Sequence, residues 1–150
     1  IDNNDLVSIH DAARPFISRQ FILELINHAA KNGAAVPVLP IKNSLRQFKN
    51  IKKNRITITA NRLKYRKVQT PQVFHLHEII SYYDVVCSKK KGTLKDTFFD
   101  DASVYDYFNI NNSNDSILID GRDYNVKITT DLDYFIASKV YEFFNKKNEK

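Results

Sequence analysis

An α/β domain is predicted, on three observations. Leu6-Val7-Ser8-Ile9 is a short β-branched run, with the polar His10, Asp11 and Arg14 directly after its carboxyl end. Phe21, Ile22, Leu25, Ile26 and Ala29 then recur at helical spacing until Asn32-Gly33. Ala34 to Leu39 is a second apolar run carrying Val36 and Val38. Strand, helix and strand in that order imply a right-handed parallel crossover with the helix packed on the sheet. Polar residues beyond the carboxyl end of the first strand stand where open α/β sheets bind their ligands.

The remaining elements follow in order. Ser18 is placed to cap the first helix. Pro40 to Ala60 reads as a two-stranded arm, because Arg55-Ile56-Thr57-Ile58-Thr59 alternates cleanly and the polar Lys52-Lys53-Asn54 marks a tip. Val68 to Phe74 returns to the sheet, with Pro71 at a strand end or edge. Ile79, Ile80, Tyr83 and Val86 place a helix over 78–88; His75 and His77 before it lack a third ligand nearby and read as its entrance. Lys89 to Gly92 is a basic loop, and Asp100 or Asp101 caps a short helix. Asn109 to Ser116 is a polar loop, Ile117-Leu118-Ile119 a strand, and Asn125 to Thr130 a further short strand with Lys127 on its own face. Thr130 caps the last helix, whose buried stripe is predicted to be Leu132, Phe135, Ile136, Val140 and Phe144; Asn145 to Lys150 is expected to fray.

With 150 residues, 43% of them hydrophobic, the chain has enough apolar material for one domain spanning 1–150. The single cysteine, Cys87, excludes an intrachain disulfide and suits a reducing compartment; it is expected to pack in the core or on a helix face. No apolar run approaches the roughly 20 residues of a bilayer-spanning helix, so a soluble protein is expected. The net charge of +6 is unevenly spread: no Asp or Glu occurs from Leu25 to His77, a stretch dense in Lys and Arg. Such polarity asks for an anionic partner: nucleic acid, a phosphorylated small molecule or an acidic subunit surface.

Candidate site residues come first from the turn after the first strand. Asp11 offers two oxygens to a metal or a substrate hydroxyl, Ala12 and Ala13 let a ligand approach the backbone, and Arg14 supplies a planar donor fork suited to phosphate. By itself the stretch fits a surface Asp–Arg pair equally well.

Four separated pieces are more specific together: His10-Asp11-Ala12-Ala13-Arg14-Pro15, Gln69-Thr70-Pro71-Gln72, Asp100-Asp101-Ala102-Ser103 and Asn125-Val126-Lys127-Ile128-Thr129. In order and spacing the chain resembles, over nearly its whole length, the 2-C-methyl-D-erythritol 4-phosphate cytidylyltransferases of the non-mevalonate isoprenoid pathway. The resemblance implies a Rossmann-like nucleotidyltransferase sheet with a projecting β-arm (residues 40–60) for homodimerisation. It also implies Mg²⁺-assisted transfer of a cytidylyl group from CTP to methylerythritol phosphate with release of pyrophosphate. By position, Asp11, Ala12 and Arg14 fall beside the cytidine and the substrate, and Asp11 is the candidate metal ligand. Lys127 falls on the lysine that orients the substrate phosphate, and Arg62 on an arginine that reaches the same phosphate across the dimer. Ser44 and Thr70 fall on hydroxyl-bearing substrate contacts.

The chemistry asks for such a set. Attack of a phosphate oxygen on an already anionic phosphorus is opposed by repulsion, so cations such as Arg62 and Lys127 must hold both reactants and absorb developing charge. A phosphate monoester is ionised at neutral pH and needs no base.

The sequence also departs from the family. Its three glycines include no glycine-rich CTP-binding loop, and it starts at Ile1 without a methionine. An N-terminal unit is therefore expected upstream, and the 150 residues alone are expected not to turn over CTP. Asn43-Ser44 stands where Asp-Thr is common, and Phe99 where a substrate-binding threonine is common, with Thr97 as a neighbouring hydroxyl. Two other functions stay open: a pentitol (ribitol) phosphate cytidylyltransferase, and a basic nucleic-acid-binding module using Arg46 to Lys67. For the favoured reading the expected partners are CTP, methylerythritol phosphate and a second copy of the chain, without nucleic acid or membrane. The expected location is the cytoplasm, or a plastid-type organelle in a eukaryote.

Overall fold

The computed structural model describes residues 2, 4–50, 55–88, 98–110 and 116–148, with the backbone alone for 49–50, 55–57 and 145–148. In chain order the strands are β1 (Leu6–Ile9), β2 (Ala34–Pro40), β3 (Leu45–Asn50), β4 (Arg55–Ala60), β5 (Arg66–Val68), β6 (Gln72–His75) and β7 (Ile117–Asp120). The helices are α1 (Arg19–Asn32), α2 (Leu76–Ser88), α3 (Asp101–Asn109) and α4 (Asp131–Asn148), and one 3-10 turn spans Arg62–Lys64.

β2 is the centre of a five-stranded sheet. β7 pairs parallel to it from Ala35↔Ile117 to Val38↔Asp120. Two antiparallel neighbours, β6 at Ala34↔Phe74 and β5 at Val38↔Val68, take successive stretches of its other edge. β1 then pairs antiparallel with β6, Leu6 opposite His75. β1 and β2 therefore run in the same direction, as the strand-helix-strand order predicts, but β6 is inserted between them. The segment expected as one strand from Val68 to Phe74 is divided: Gln69, Thr70 and Pro71, with a cis Thr70–Pro71 bond, separate β5 from β6.

Both faces of the sheet are covered, which is why β2 reads as a continuous apolar run. On one face Ala35, Val73 and Ile119 meet Phe21, Leu25 and Ala29 of α1. On the other, Ala34, Val36, Val38 and Phe74 meet Ile79 and Val86 of α2 and Ala102, Val104 and Tyr105 of α3. Burying side chains the size of Phe21 or Leu25 stabilises the fold by about 1.5–3 kcal/mol each.

The caps are those the sequence predicts. Ser18 Oγ accepts from the Phe21 amide at 3.2 Å. Gly33 ends α1 at φ 90°, a conformation other residues adopt at a cost, and a Cβ there would also collide with the Tyr105 hydroxyl. Asp100 and Ser103 form a reciprocal capping box at the start of α3. Asp133 Oδ2 accepts from the Thr129 amide and hydroxyl and the Thr130 amide, while its own amide bonds Thr130 Oγ1 at 3.2 Å.

Further expectations meet a different outcome. Residues 125–130 form no strand: the Asn125 carbonyl is taken by the Arg14 and Gln69 side chains, so it is not offered to a neighbouring strand. The apolar stripe of α4 is largely uncovered, with Leu132 67% and Phe135 59% exposed; Ala137 is buried, and Phe144 meets Tyr124 edge-on. The backbone of α4 continues as helix to Asn148, past the expected fraying point at Asn145. Cys87 is exposed on α2, outside the core.

The arm is two-stranded, β3 pairing with β4 from Leu45↔Ala60, with irregular register around Phe48. Its expected tip, the basic loop at 89–92, Thr97 and most of the polar loop after Asn109 lie outside the described residues. No helix among the described residues is long and apolar enough to cross a membrane.

Candidate active site

The turn after β1 is built by its own backbone and by distant partners. The Arg14 amide donates to the Asp11 carbonyl at 3.0 Å, closing a turn with Ala12 exposed at its tip. The Ile128 amide donates to the Ala13 carbonyl at 2.9 Å, which brings Lys127 alongside. The Asp11 amide donates to Thr70 Oγ1 at 2.9 Å, which ties the turn to the break between β5 and β6.

These segments border a cleft of about 520 Å³, lined by Asp11, Arg14, Val68, Gln69, Thr70, Gln72 and Lys127 together with Phe99, Asp100, Asp101 and Ser103 around the start of α3. Asp11 stands at its electrostatic centre. Asp11 Oδ2 receives Arg14 Nε at 3.1 Å and Lys127 Nζ at 3.1 Å. Burial pushes the Asp11 carboxyl up, but the hydrogen bonds and charges of Lys127 and Arg14 outweigh it and carry the group below the ordinary carboxylate range.

The two cations differ in freedom. The Arg14 side chain is 8% exposed, and its Nη1 also donates to the Asn125 carbonyl at 2.9 Å, so it is a fixed strut rather than the open fork expected from the sequence. The Lys127 side chain is 46% exposed. An ion pair this open contributes at most about 1 kcal/mol, so the ammonium can turn from Asp11 to an incoming anion at little cost.

Of the remaining sequence candidates, Thr70 lines the cleft, whereas Ala12, Ser44 and Arg62 do not. Ser44 is exposed at the base of β3. Arg62 is exposed in the 3-10 turn, its Nη1 donating to the Lys42 carbonyl at 2.5 Å. Phe99 is 95% exposed at the rim, where it offers no hydroxyl.

Sequence reasoning missed three buried amides that frame the cleft. Gln72 is fully buried; its Nε2 donates to Asp100 Oδ2 at 3.0 Å and its Oε1 accepts from the Ala102 amide at 2.8 Å, which locks α3 to β6. Gln69 bonds the Arg122 amide and the Arg122 and Asn125 carbonyls. Asn125 Nδ2 donates to the Thr70 carbonyl at 2.8 Å. The available signal was the amide side chain itself, since a Gln or Asn in an apolar segment must find partners.

Asp100 and Asp101 are also committed, Asp100 to the cap of α3 and Asp101 to the Tyr83 hydroxyl at 2.5 Å. Among the described residues no group of three or more His, Cys, Asp or Glu could hold a metal ion. The donor set of the cleft therefore fits a divalent cation only as a companion of ligand phosphates, with one carboxylate, Asp11, from this chain.

Comparison with known proteins gives the cleft its context. The family model described as 2-C-methyl-D-erythritol 4-phosphate cytidylyltransferase matches residues 1–142. A relative of that name from Azobacteroides pseudotrichonymphae is 35% identical over 142 residues, 95% of this chain and 58% of the relative's length. The crystal structure of the Francisella tularensis protein of that name superposes with a TM-score of 0.77 at 27% identity, covering 93% of this chain and 60% of that one. The crystal structure of the Thermus thermophilus protein gives a TM-score of 0.73 at 30% identity, covering 90% and 61%. The chain thus spans somewhat more than half the length of each of these three proteins. The family model takes in the turn after β1, the Gln69–Gln72 break, the α3 cap and Lys127 together, and this chain belongs to the 2-C-methyl-D-erythritol 4-phosphate cytidylyltransferase family.

Proposed function

We propose that the protein carrying this chain transfers a cytidylyl group from CTP to 2-C-methyl-D-erythritol 4-phosphate. A phosphate oxygen of the acceptor attacks the α-phosphorus of CTP, the bond to the bridging oxygen breaks, and pyrophosphate leaves. The observation that carries this reading is the Asp11–Lys127 pair: a half-exposed ammonium held at 3.1 Å from a carboxylate at the cleft wall, beside the buried Arg14.

The parts divide the work as follows. Arg14 and the Asp11–Thr70 bond hold the turn rigid, so Asp11 keeps its place when a ligand enters. Lys127 moves to the acceptor phosphate and neutralises charge as the two anionic groups approach. Ala12, exposed at the tip, leaves room for the nucleoside, and Thr70 and Ser44 offer hydroxyls to the substrates. Mg²⁺ belongs to this reading as an ion carried on the CTP phosphates, where it supplies charge neutralisation, with Asp11 its one carboxylate from this chain.

Arg62 serves the cleft of a second copy in this reading. A lone two-stranded ribbon is marginal in water, and this one leaves Phe48 49% and Ile58 62% exposed. A two-fold partner covers them and brings Arg62 across.

The test is CTP-dependent pyrophosphate release by the full-length protein with methylerythritol phosphate and, separately, ribitol phosphate. Release with the first alone is expected, reduced by about 10²–10³ in Lys127→Ala and Arg62→Ala. Release with ribitol phosphate alone would move the protein to pentitol chemistry. Release with neither would overturn the reading.

A further inference from the structure

The geometry points to His10 as the positioning residue of this site: an imidazole whose two ring nitrogens, with a hydrogen on Nε2, hold both ends of the turn carrying Asp11. His10 precedes Asp11 and its ring is half-buried. Nε2 lies 3.0 Å from the Arg14 carbonyl oxygen, and Nδ1 lies 3.0 Å from Thr70 Oγ1.

One ring hydrogen can be placed by elimination. A carbonyl oxygen only accepts, so Nε2 carries the hydrogen on the Arg14 side. Nδ1 faces the Thr70 hydroxyl, a group that can donate to a bare ring nitrogen or accept from one that carries a hydrogen. Thr70 Oγ1 also accepts the Asp11 amide at 2.9 Å, which its second lone pair permits in either case. The relay runs from the Asp11 amide to Thr70 Oγ1, from Thr70 Oγ1 to His10 Nδ1, and from Nε2–H to the Arg14 carbonyl. The Nδ1–H neutral tautomer is excluded, because its bare Nε2 would face the Arg14 carbonyl oxygen lone pair to lone pair.

The consequence for the site follows from what the relay spans. The ring bridges residue 10 to the carbonyl of residue 14, and through Thr70 it fixes the amide of residue 11. Asp11 and Arg14 are the two residues that, with Lys127, make the charged centre of the cleft. Removing the imidazole leaves the turn with its 3.0 Å Asp11–Arg14 backbone bond and frees Thr70 to rotate. A displacement of about 1 Å at a catalytic centre can cost about 10²-fold in rate.

The inference rests on the cytidylyltransferase reading only for its kinetic arm, and a structural arm tests it independently. In the full-length protein, long-range ¹H–¹⁵N spectra should show a hydrogen on His10 Nε2. Thr70→Val, which removes the hydroxyl while keeping the shape, should shift the Nδ1 resonance and increase hydrogen exchange at the Asp11 amide. A ring without a hydrogen on Nε2, or no response to Thr70→Val, would overturn the assignment whether or not the protein releases pyrophosphate.

In the kinetic arm His10→Ala should lower kcat by about 10²-fold with little change in KM for CTP. His10→Asn keeps an acceptor at the Nδ1 position and should recover part of the loss. His10→Gln keeps only the donor toward Arg14 and should recover less. Wild-type kcat in His10→Ala, or equal rescue by both amides, would overturn the positioning role; a folding failure of His10→Ala leaves the spectra and the Asn and Gln variants to decide.

Discussion

At the scale of single residues, the cleft separates side chains that hold from side chains that can move, and burial is what separates them. Gln72 holds: two hydrogen bonds from one fully buried amide join β6 to Asp100 and to the first turn of α3. Gln72→Leu keeps the volume but leaves the Ala102 amide unsatisfied, at a cost of about 1–3 kcal/mol. The expected result is a lower urea midpoint with an unchanged m-value; an unchanged midpoint would mean that water replaces the amide. Asp11, Thr70 and Lys127 were legible in the sequence because their chemistry is displayed in short motifs. Gln69, Gln72 and Asn125 were not assigned roles, because their partners are mostly backbone groups remote in the chain, which no local pattern announces.

At the scale of elements, local rules succeed where the determinants are local. Ser18, Gly33 and the Asp100–Ser103 box mark their helix ends because capping needs only a few neighbouring residues. The same holds for Asp133, whose bonds from Thr129, first its hydroxyl and then its amide, and from Thr130 pull its carboxyl down to about 2. A carboxyl depressed in the folded state contributes stability above its unfolded pKa of about 3.9 and loses it as the pH falls through the folded value. Asp133→Asn should therefore melt below the parent at pH 7, with the gap narrowing from about pH 4 downward toward 2; a gap that stays constant over that range would remove the charge from the account. Longer-range outcomes were less legible. The spacing of Leu132, Phe135, Ile136 and Val140 gives a helix correctly but does not say what covers it, and the alternation at 125–129 gives no strand because side chains claim the Asn125 carbonyl first.

At the scale of the whole molecule, the order of strand, helix and strand was readable, while the insertion of β6 between β1 and β2 was not, since it depends on a pairing between segments more than sixty positions apart. The exposed basic residues Arg46, Arg62, Lys64, Arg66 and Lys67 crowd on and beside the arm. If a second copy covers it, the full-length protein should run as a dimer whose mass is insensitive to salt. Replacing residues 45–60 with a short Gly-Ser turn should give a monomer without pyrophosphate release. Oligonucleotide binding that falls steeply with salt would instead assign the arm to nucleic acid. The bonds that frame the cleft also have a kinetic meaning. They join residues 59 positions apart at Asp11–Thr70, 111 at Arg14–Asn125 and 55 at Thr70–Asn125. Contacts of such separation form late, after the loops between them have closed. The charged centre should thus be among the last regions to mature during refolding, and pulse-labelled exchange should find the Asp11 amide protected only after the amides within α1.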